Sequence, residues 1–474
     1  MVFSSFVFVS AFLPLLVVVY YLAPRTCRNF LLLAASVFFY AWGDAAFLWI
    51  IAVSVLCNYL GALALSSHCV SARGIPRWFV LTLFLLADFS LLFYYKYSYF
   101  VFRNVSAALG TDYIGKSLVL PLGISFYTFQ GVSYLVDVYR GVSAVERSLP
   151  RFALYIAFFP QLVAGPIVKY HDISEQIKSR EETFDRFWEG MRRFAVGFAK
   201  KVLIANTVGH AADLVFSSPA NSFGPVVAWC GAVAYALQIY YDFGGYSDMA
   251  IGLGGMFGFR FLENFNLPYS STTITDFWRR WHISLSSWFR EYLYIPLGGN
   301  RSGRAMTVVN LGIVFLATGL WHGAAWTFVA WGALHGLFVI AERVLEWSRA
   351  GRRFLSWRAY RLVVVCVVLV GWVLFRSPDM SYAWLYVKNM VGVVTCTPTR
   401  TFGFYFSPFC LAIGACALLE STGVARRIAS FGSMFEKVPV IVRAAADFGI
   451  VLLFAVSICF LAGSTYNPFI YFRF

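Results

Sequence analysis

The sequence predicts an all-α polytopic membrane protein, and three observations carry that reading. Hydrophobic residues fill 60% of the 474 positions and charged residues only 13%, too few to build a water-soluble surface. Apolar runs recur from end to end, several long enough to cross a hydrocarbon core of about 30 Å. The basic residues behind the net charge of +15 sit in short loops between those runs. That is the distribution of cytoplasmic loops facing anionic headgroups, so it points to the lipid bilayer as partner and not to nucleic acid.

The elements follow in order. SSFVFVSAFLPLLVVVYYLA has no basic residue before it and no small-x-small site after it, so it reads as a retained first helix and not a signal peptide. The candidate membrane segments are 4–22, 29–43, 46–65, 78–98, 117–138, 151–168, 202–216, 223–243, 306–321, 324–341, 361–377, 406–420 and 446–463. Arg25 and Arg28 follow the first segment, which places the N-terminus outside; Arg73 and Arg77 return the chain to the cytoplasm. Segment 151–168 has basic stretches on both flanks, and Pro160, Gly165 and Pro166 interrupt its helix. Such backbone is tolerated at membrane depth only inside protein or beside a water-filled cavity, so this segment is expected to be a re-entrant hairpin. Residues 169–201 are amphipathic and expected along the cytoplasmic face. Nine cysteines show no metal-ligand spacing and read as small core hydrophobes, Cys57, Cys366, Cys416 and Cys459 among them. No metal site is indicated.

Residues 275–301, TDFWRRWHISLSSWFREYLYIPLGGNR, read as one helix ending in a Gly-Gly turn. On a helical wheel Phe277, Trp281, Leu285, Trp288 and Tyr292 fall within about 80°, opposite Asp276, Arg280, Ser287 and Glu291. A helix of that kind rests at the membrane interface, with His282 at the edge of its aromatic stripe beside Trp278. His282 is then either incidental to an anchor helix or the mouth of a pocket, where Arg279 and Arg280 suit an anionic donor.

FLATGLWHGAAWTFVAWGALHG, residues 316–337, places two histidines in apolar sequence. The run 306–321 is short for a span, so it forms a hairpin with 324–341 whose apex, Trp321-His322-Gly323, stops beneath the outer surface. A polar ring at that depth is by default functional. Gly323 permits close approach of a substrate or another chain, and Trp326 stands as a wall one turn on. A neutral imidazole at 322 suits removal of a proton from a hydroxyl. On a continuous helix His335 would be turned about 140° from His322, so it reads as a packing or hydrogen-bonding histidine. His68, His171 and His210 receive no role. Asp242 and Asp248, in QIYYDFGGYSDMAIGLGG, either line the same cavity, with Gln238 and Tyr241, or hydrogen-bond the glycine-broken backbone.

DFWRRWHISLSSWFREYLYIPLGGNR and GLWHGAAWTFVAWGALHG, with FFPQLVAGPI, YYDFGGYSDMAIGLGGMFGFRFLENFNLPY and the terminal YNPFIYFRF, resemble the membrane-bound O-acyltransferases along nearly the whole chain. The likeness is to the alginate O-acetyltransferase branch, with teichoic-acid D-alanyl transferases as cousins. The resemblance implies one integral-membrane domain over 1–474 with a catalytic core at about 117–342. It also implies a ring of about eleven or more transmembrane helices, with re-entrant and interfacial helices around a thin central funnel or tunnel. It makes His322 the catalytic residue and His282 the second family histidine. The implied donor is cytosolic acetyl-CoA or an acyl-carrier thioester, with no permanently bound cofactor. The acceptor is an exported polysaccharide, reached directly or through a periplasmic SGNH-type acetyltransferase, from a bacterial inner membrane. D-alanyl or other acyl transfer from a cytosolic acyl carrier is the alternative within the class. A transporter with a proton-relay histidine is the alternative outside it, disfavoured by the absence of internal repeats.

Overall fold

The structure is a computed structural model of the chain, described over residues 1–67, 74–111, 115, 118–163, 165–394, 396–424 and 440–468. Arg73 and His68, used or weighed in the sequence reading, lie outside the described residues, as does the terminal FIYFRF. Among the described residues every regular element is helical, the arrangement that satisfies backbone groups within a segment where no water is available. The chain divides into two compact units, Met1–Phe194 with Ser247–Leu262, and Ala195–Tyr246 with Glu263–Phe474.

The first unit begins with a π-turn at Phe8–Phe12 that runs directly into α1 (Leu13–Leu22), with Pro14, which has no N–H to donate, just after the widened turn. Helices α2 (Arg25–Asp44) and α3 (Leu48–Ser66) are joined by a 3-10 turn at Ala45–Phe47. α4 (Arg77–Leu92) runs through a π-turn, Phe93–Tyr97, into α5 (Ser98–Leu109). Helix α6 (Ile124–Arg140) is buried along almost its whole length and packs on α3 and α4. Side-chain-free positions let the three approach closely: a Cβ on Gly61 would lie 2.8 Å from the Phe84 ring, and one on Gly131 2.5 Å from the Asn58 amide.

The segment 151–168 is broken as its prolines demand. It forms α7 (Leu149–Ala157) and α8 (Phe159–Leu162), interrupted at Phe158, with non-helical residues after Gly165. The Tyr155 hydroxyl donates to the Val168 carbonyl at 3.1 Å, tying the two limbs together, and the Phe159 N–H donates to Ser36 at 3.1 Å. The irregular backbone is therefore enclosed by protein. α9 (Tyr170–Lys178) and α10 (Phe184–Ala199) are the amphipathic helices expected after it.

The second unit contains a π-turn at Lys200–Ala205, α11 (Asn206–Phe216) and most of α12 (Pro225–Met256). Then come α13 (Ile274–Arg280) and α14 (Ile283–Phe289), α15 (Gly303–His322) and α16 (Trp326–Glu346). α17 (Arg349–Leu355), α18 (Tyr360–Arg376), α19 (Met380–Met390), α20 (Phe402–Tyr405), α21 (Pro408–Ser421) and α22 (Val440–Gly463) complete it. The hairpin α15–α16 turns at residues 323–325, where the sequence placed it. Its helices touch through glycine: a Cβ on Gly319 would lie 2.5 Å from the Phe328 carbonyl, and one on Gly332 2.5 Å from that of Phe315.

Among the described residues five helices are long and apolar enough to cross a membrane, or six if the bent pair α17–α18 counts as one span. That is fewer than the apolar segments read from the sequence. Segment 4–22 lies in the short apolar helix Phe8–Leu22, and 406–420 is the 14-residue α21. The cysteines also differ from expectation. Cys410 is buried, but Cys366, Cys416 and Cys459 are exposed on apolar helices. They are small hydrophobes of an outer surface and not of a core.

Candidate active site

The site lies within the second unit and is built around a break that the sequence hid. The expected single helix over 275–301 is two, because an extended stretch, residues 264–266, hydrogen-bonds to the backbone between them. Asn266 N–H donates to the Arg280 carbonyl and Ile283 N–H to the Asn264 carbonyl, both at 2.9 Å. α13 therefore ends at Arg280, Trp281 is extended, and His282 takes a left-handed conformation with φ 45° before α14 begins. For a non-glycine residue this costs about 1–2 kcal/mol, so the surrounding contacts must enforce it.

The aromatic stripe is also not an interfacial one. Phe277, Trp281, Leu285 and Trp288 are all buried in protein. Trp281 packs on Trp372 (4.9 Å between ring centroids), Phe265 (5.0 Å) and Phe277 (5.7 Å). Glu342, at the far end of α16, holds the start of α13. It accepts hydrogen bonds from Ile274 N–H (2.6 Å), Thr275 N–H (2.8 Å), the Thr275 hydroxyl (2.6 Å) and the Tyr360 hydroxyl (3.0 Å).

With α13 fixed on α16, the two motif histidines meet. The rings of His282 and His322 lie 6.4 Å apart, tilted by 61°. The sequence reading left His282 on a helix at the cytoplasmic interface, because 258–304 has no spanning run, and put His322 deeper, at the hairpin apex near the thin middle or outer side. The structure corrects this: a non-spanning segment can enter the fold where protein encloses it. His282 is fully buried against Phe243 (4.7 Å) and Trp321 (6.0 Å), and burial pushes its imidazole down to about 3. His322, 7% exposed, ends α15 among Trp321 (4.9 Å), Trp331 (4.9 Å) and Phe375 (5.3 Å).

The remaining expectations divide. Trp326 is 57% exposed, and the indoles that meet His322, each in a T-shaped contact, are Trp321 and Trp331. The space beside Gly323 is taken by the Phe328 ring and not by a substrate. His335 accepts a hydrogen bond from Trp278 Nε1 at 3.3 Å and meets Trp331 in a T-shaped contact at 5.2 Å. The break at 323–325 voids the helical-wheel separation of His322 and His335, so one indole touches both. Arg280 is paired with Asp276 at 2.9 Å, while Arg279 is exposed.

On α12, Asp242 pairs with Lys201 at 2.6 Å, both nearly inaccessible. Tyr241 donates to the Ala417 carbonyl and to Glu420, each at 2.7 Å, and Gln238 packs against Gly209. The residues of α12 that reach the histidine cluster are Tyr240, 6.3 Å from Trp281, and Phe243. Asp248 belongs to the first unit and pairs there with Arg193 at 2.9 Å. Sequence reasoning missed Asn264, Trp331, Glu342 and Phe375. A lone acidic residue near the end of an apolar run was the available signal for Glu342.

The sequence profile of the membrane-bound O-acyltransferase family matches residues 34–384, which include both histidines. The chain belongs to the membrane-bound O-acyltransferase family. It is similar to a probable alginate O-acetylase of Azotobacter vinelandii, 40% identical over the full length of both chains. A peptidoglycan O-acetyltransferase of Helicobacter pylori is 36% identical over 83% of this chain and 80% of its own. A teichoic acid D-alanyltransferase of Bacillus subtilis is 29% identical over 55% of this chain and 68% of its own. This membrane-bound O-acyltransferase is thus an enzyme, which settles the choice against a transporter.

Proposed function

We propose that this O-acyltransferase moves an acetyl group from a cytosolic thioester, acetyl-CoA, towards hydroxyls of an exported polysaccharide. The observation that carries the proposal is the pair of imidazoles 6.4 Å apart inside an aromatic enclosure. The names of the relatives, an alginate O-acetylase and a peptidoglycan O-acetyltransferase, support the acceptor class. His322 is the general base. As the acceptor oxygen attacks the thioester carbonyl, Nε2 or Nδ1 of His322 takes the hydroxyl proton. Collapse of the tetrahedral intermediate then expels the thiolate, which recovers that proton from the imidazolium. Transfer is direct, without an acyl-enzyme. His282 belongs to the donor side, orienting the thioester.

The passage that brings donor and acceptor to His322 from opposite sides is part of the proposal, as is the ring of eleven or more crossings around it. So are a catalytic core within residues 117–342, an inner-membrane location and a periplasmic SGNH-type acetyltransferase as relay partner. The D-alanyltransferase relative supports a second reading, acyl transfer from a charged carrier protein. Supplying purified acetyl-CoA or charged carrier to inside-out vesicles separates the two by which donor loses its acyl group.

The test of the base is His322→Ala at unchanged membrane levels. Loss of a general base lowers turnover by about 10²–10⁴-fold, so polymer acetylation in cells and labelled-acetyl transfer in membranes should both disappear. Retained acetylation would remove His322 from the chemistry.

A further inference from the structure

Asn264 has a single side-chain oxygen that three groups of the site share. Oδ1 lies 3.2 Å from Ser284 N, 2.9 Å from Ser284 Oγ and 3.2 Å from His282 Nδ1. Asn264, His282 and Ser284 are each at least 98% inaccessible, so no solvent rearranges these partners. A backbone N–H can only donate. The atom of the Asn264 amide facing Ser284 N must therefore be the carbonyl oxygen, which settles the amide orientation. An oxygen can only accept, so the ring nitrogen facing it carries its hydrogen. Ser284 Oγ stands 3.5 Å from the same ring nitrogen, and its own proton is directed to Asn264. A neutral imidazole with hydrogen on Nδ1 leaves a lone pair on Nε2. That atom is buried, with no hydrogen-bond partner among the described residues.

We propose that Asn264 is a positioning residue that locks His282 in the Nδ1–H tautomer, so that His282 meets substrate as a hydrogen-bond acceptor through a bare Nε2. The proposal rests on the reading that His282 faces the donor, and it sharpens that reading. A bare Nε2 has no proton with which to polarise a thioester carbonyl. It holds an N–H or O–H group of the bound substrate instead. Stabilisation of the developing oxyanion then belongs to other groups. The left-handed backbone at His282 serves the same end. The Asn264 carbonyl accepts from Ile283 N–H while its side chain accepts from the His282 ring, so one residue fixes both the backbone break and the ring.

The experiment uses full-length protein, labelled with 15N-histidine and reconstituted in bilayers at neutral pH. The His282 signals are assigned by their loss in His282→Gln. The expected spectrum shows a protonated Nδ1 and a non-protonated Nε2. A proton on Nε2 in the wild-type protein overturns the proposal without recourse to any variant. In Asn264→Ala the two tautomers should exchange, moving the Nε2 signal towards the protonated range, and kcat should fall at least about tenfold, as it does when a catalytic imidazole is held in the wrong tautomer. An Nε2 signal unchanged by Asn264→Ala also overturns the proposal. Full transfer activity in His282→Gln would instead overturn the donor-side reading of His282, and would do so whatever the spectra show.

Discussion

At position 282 the backbone and the side chain are held against their separate preferences. The chain adopts a conformation that most side chains avoid, and the ring is stripped of water. Burial lowers the His282 imidazole to about 3 from an ordinary value near 6.5. The folded state therefore binds fewer protons than the unfolded state between those values, and stability rises with pH across that window. The His282 contribution is fully present above about pH 6.5 and is lost as the pH falls towards 3. The inactivation temperature of the purified protein should drop over this range, and a His282→Gln protein should show a shallower drop. Lys201 and Asp242 make the same argument for charge. Removing one member of a buried pair leaves the other uncompensated, at a cost of about 3–5 kcal/mol. Asp242→Leu should abolish recovery of folded protein, and Lys201→Met combined with Asp242→Leu should restore it, as read by yield of monodisperse protein in detergent.

At the scale of elements, the site depends on how α13 and the α15–α16 hairpin are fastened together. Glu342 and the Trp278–His335 hydrogen bond join α13 to α16, and Trp331 on α16 touches both His322 and His335. Glu342→Ala would leave the first N–H groups of α13 without acceptors, at about 1–3 kcal/mol for each buried group. It should lower thermal stability and transferase activity together, with Glu342→Gln, which keeps one oxygen acceptor, falling in between. The hairpin itself was legible in the sequence, because two apolar runs of similar length flanked a short glycine-containing turn. The break at 281–282 was not. It is made by residues 264–266, some eighteen positions upstream, and a helical wheel drawn over 275–301 assumes the continuity that this pairing destroys. The same assumption, applied across 323–325, separated His322 from His335 by angle when a shared indole joins them. On α12 the choice among its faces needed the neighbours: Phe243 packs on His282 and Tyr240 on Trp281, while Gln238, Tyr241 and Asp242 serve packing and pairing elsewhere.

For the molecule as a whole, composition revealed the solvent and the helical class, since both follow from sums over many residues. The number of crossings does not follow from such sums, because short apolar helices such as α21 and the broken pair α7–α8 share the apolar character of the helices long enough to span. Exposed Trp78, Leu86 and Phe448 show that much of the outside is hydrocarbon-compatible, and the exposed thiols test what covers it. Cys366, Cys416 and Cys459 should resist a water-soluble maleimide in intact membranes and react after denaturation in detergent; labelling in the native bilayer would place those helix faces in water.

The histidine cluster draws on residues 243, 264, 282, 322, 331 and 375, which leave the ribosome over a long interval. Phe375, on α18, closes the enclosure around His322, so a nascent chain that has been made only as far as α16 owns both imidazoles but lacks their last wall. Such an intermediate leaves the His322 ring uncovered on the side that Phe375 takes in the finished fold.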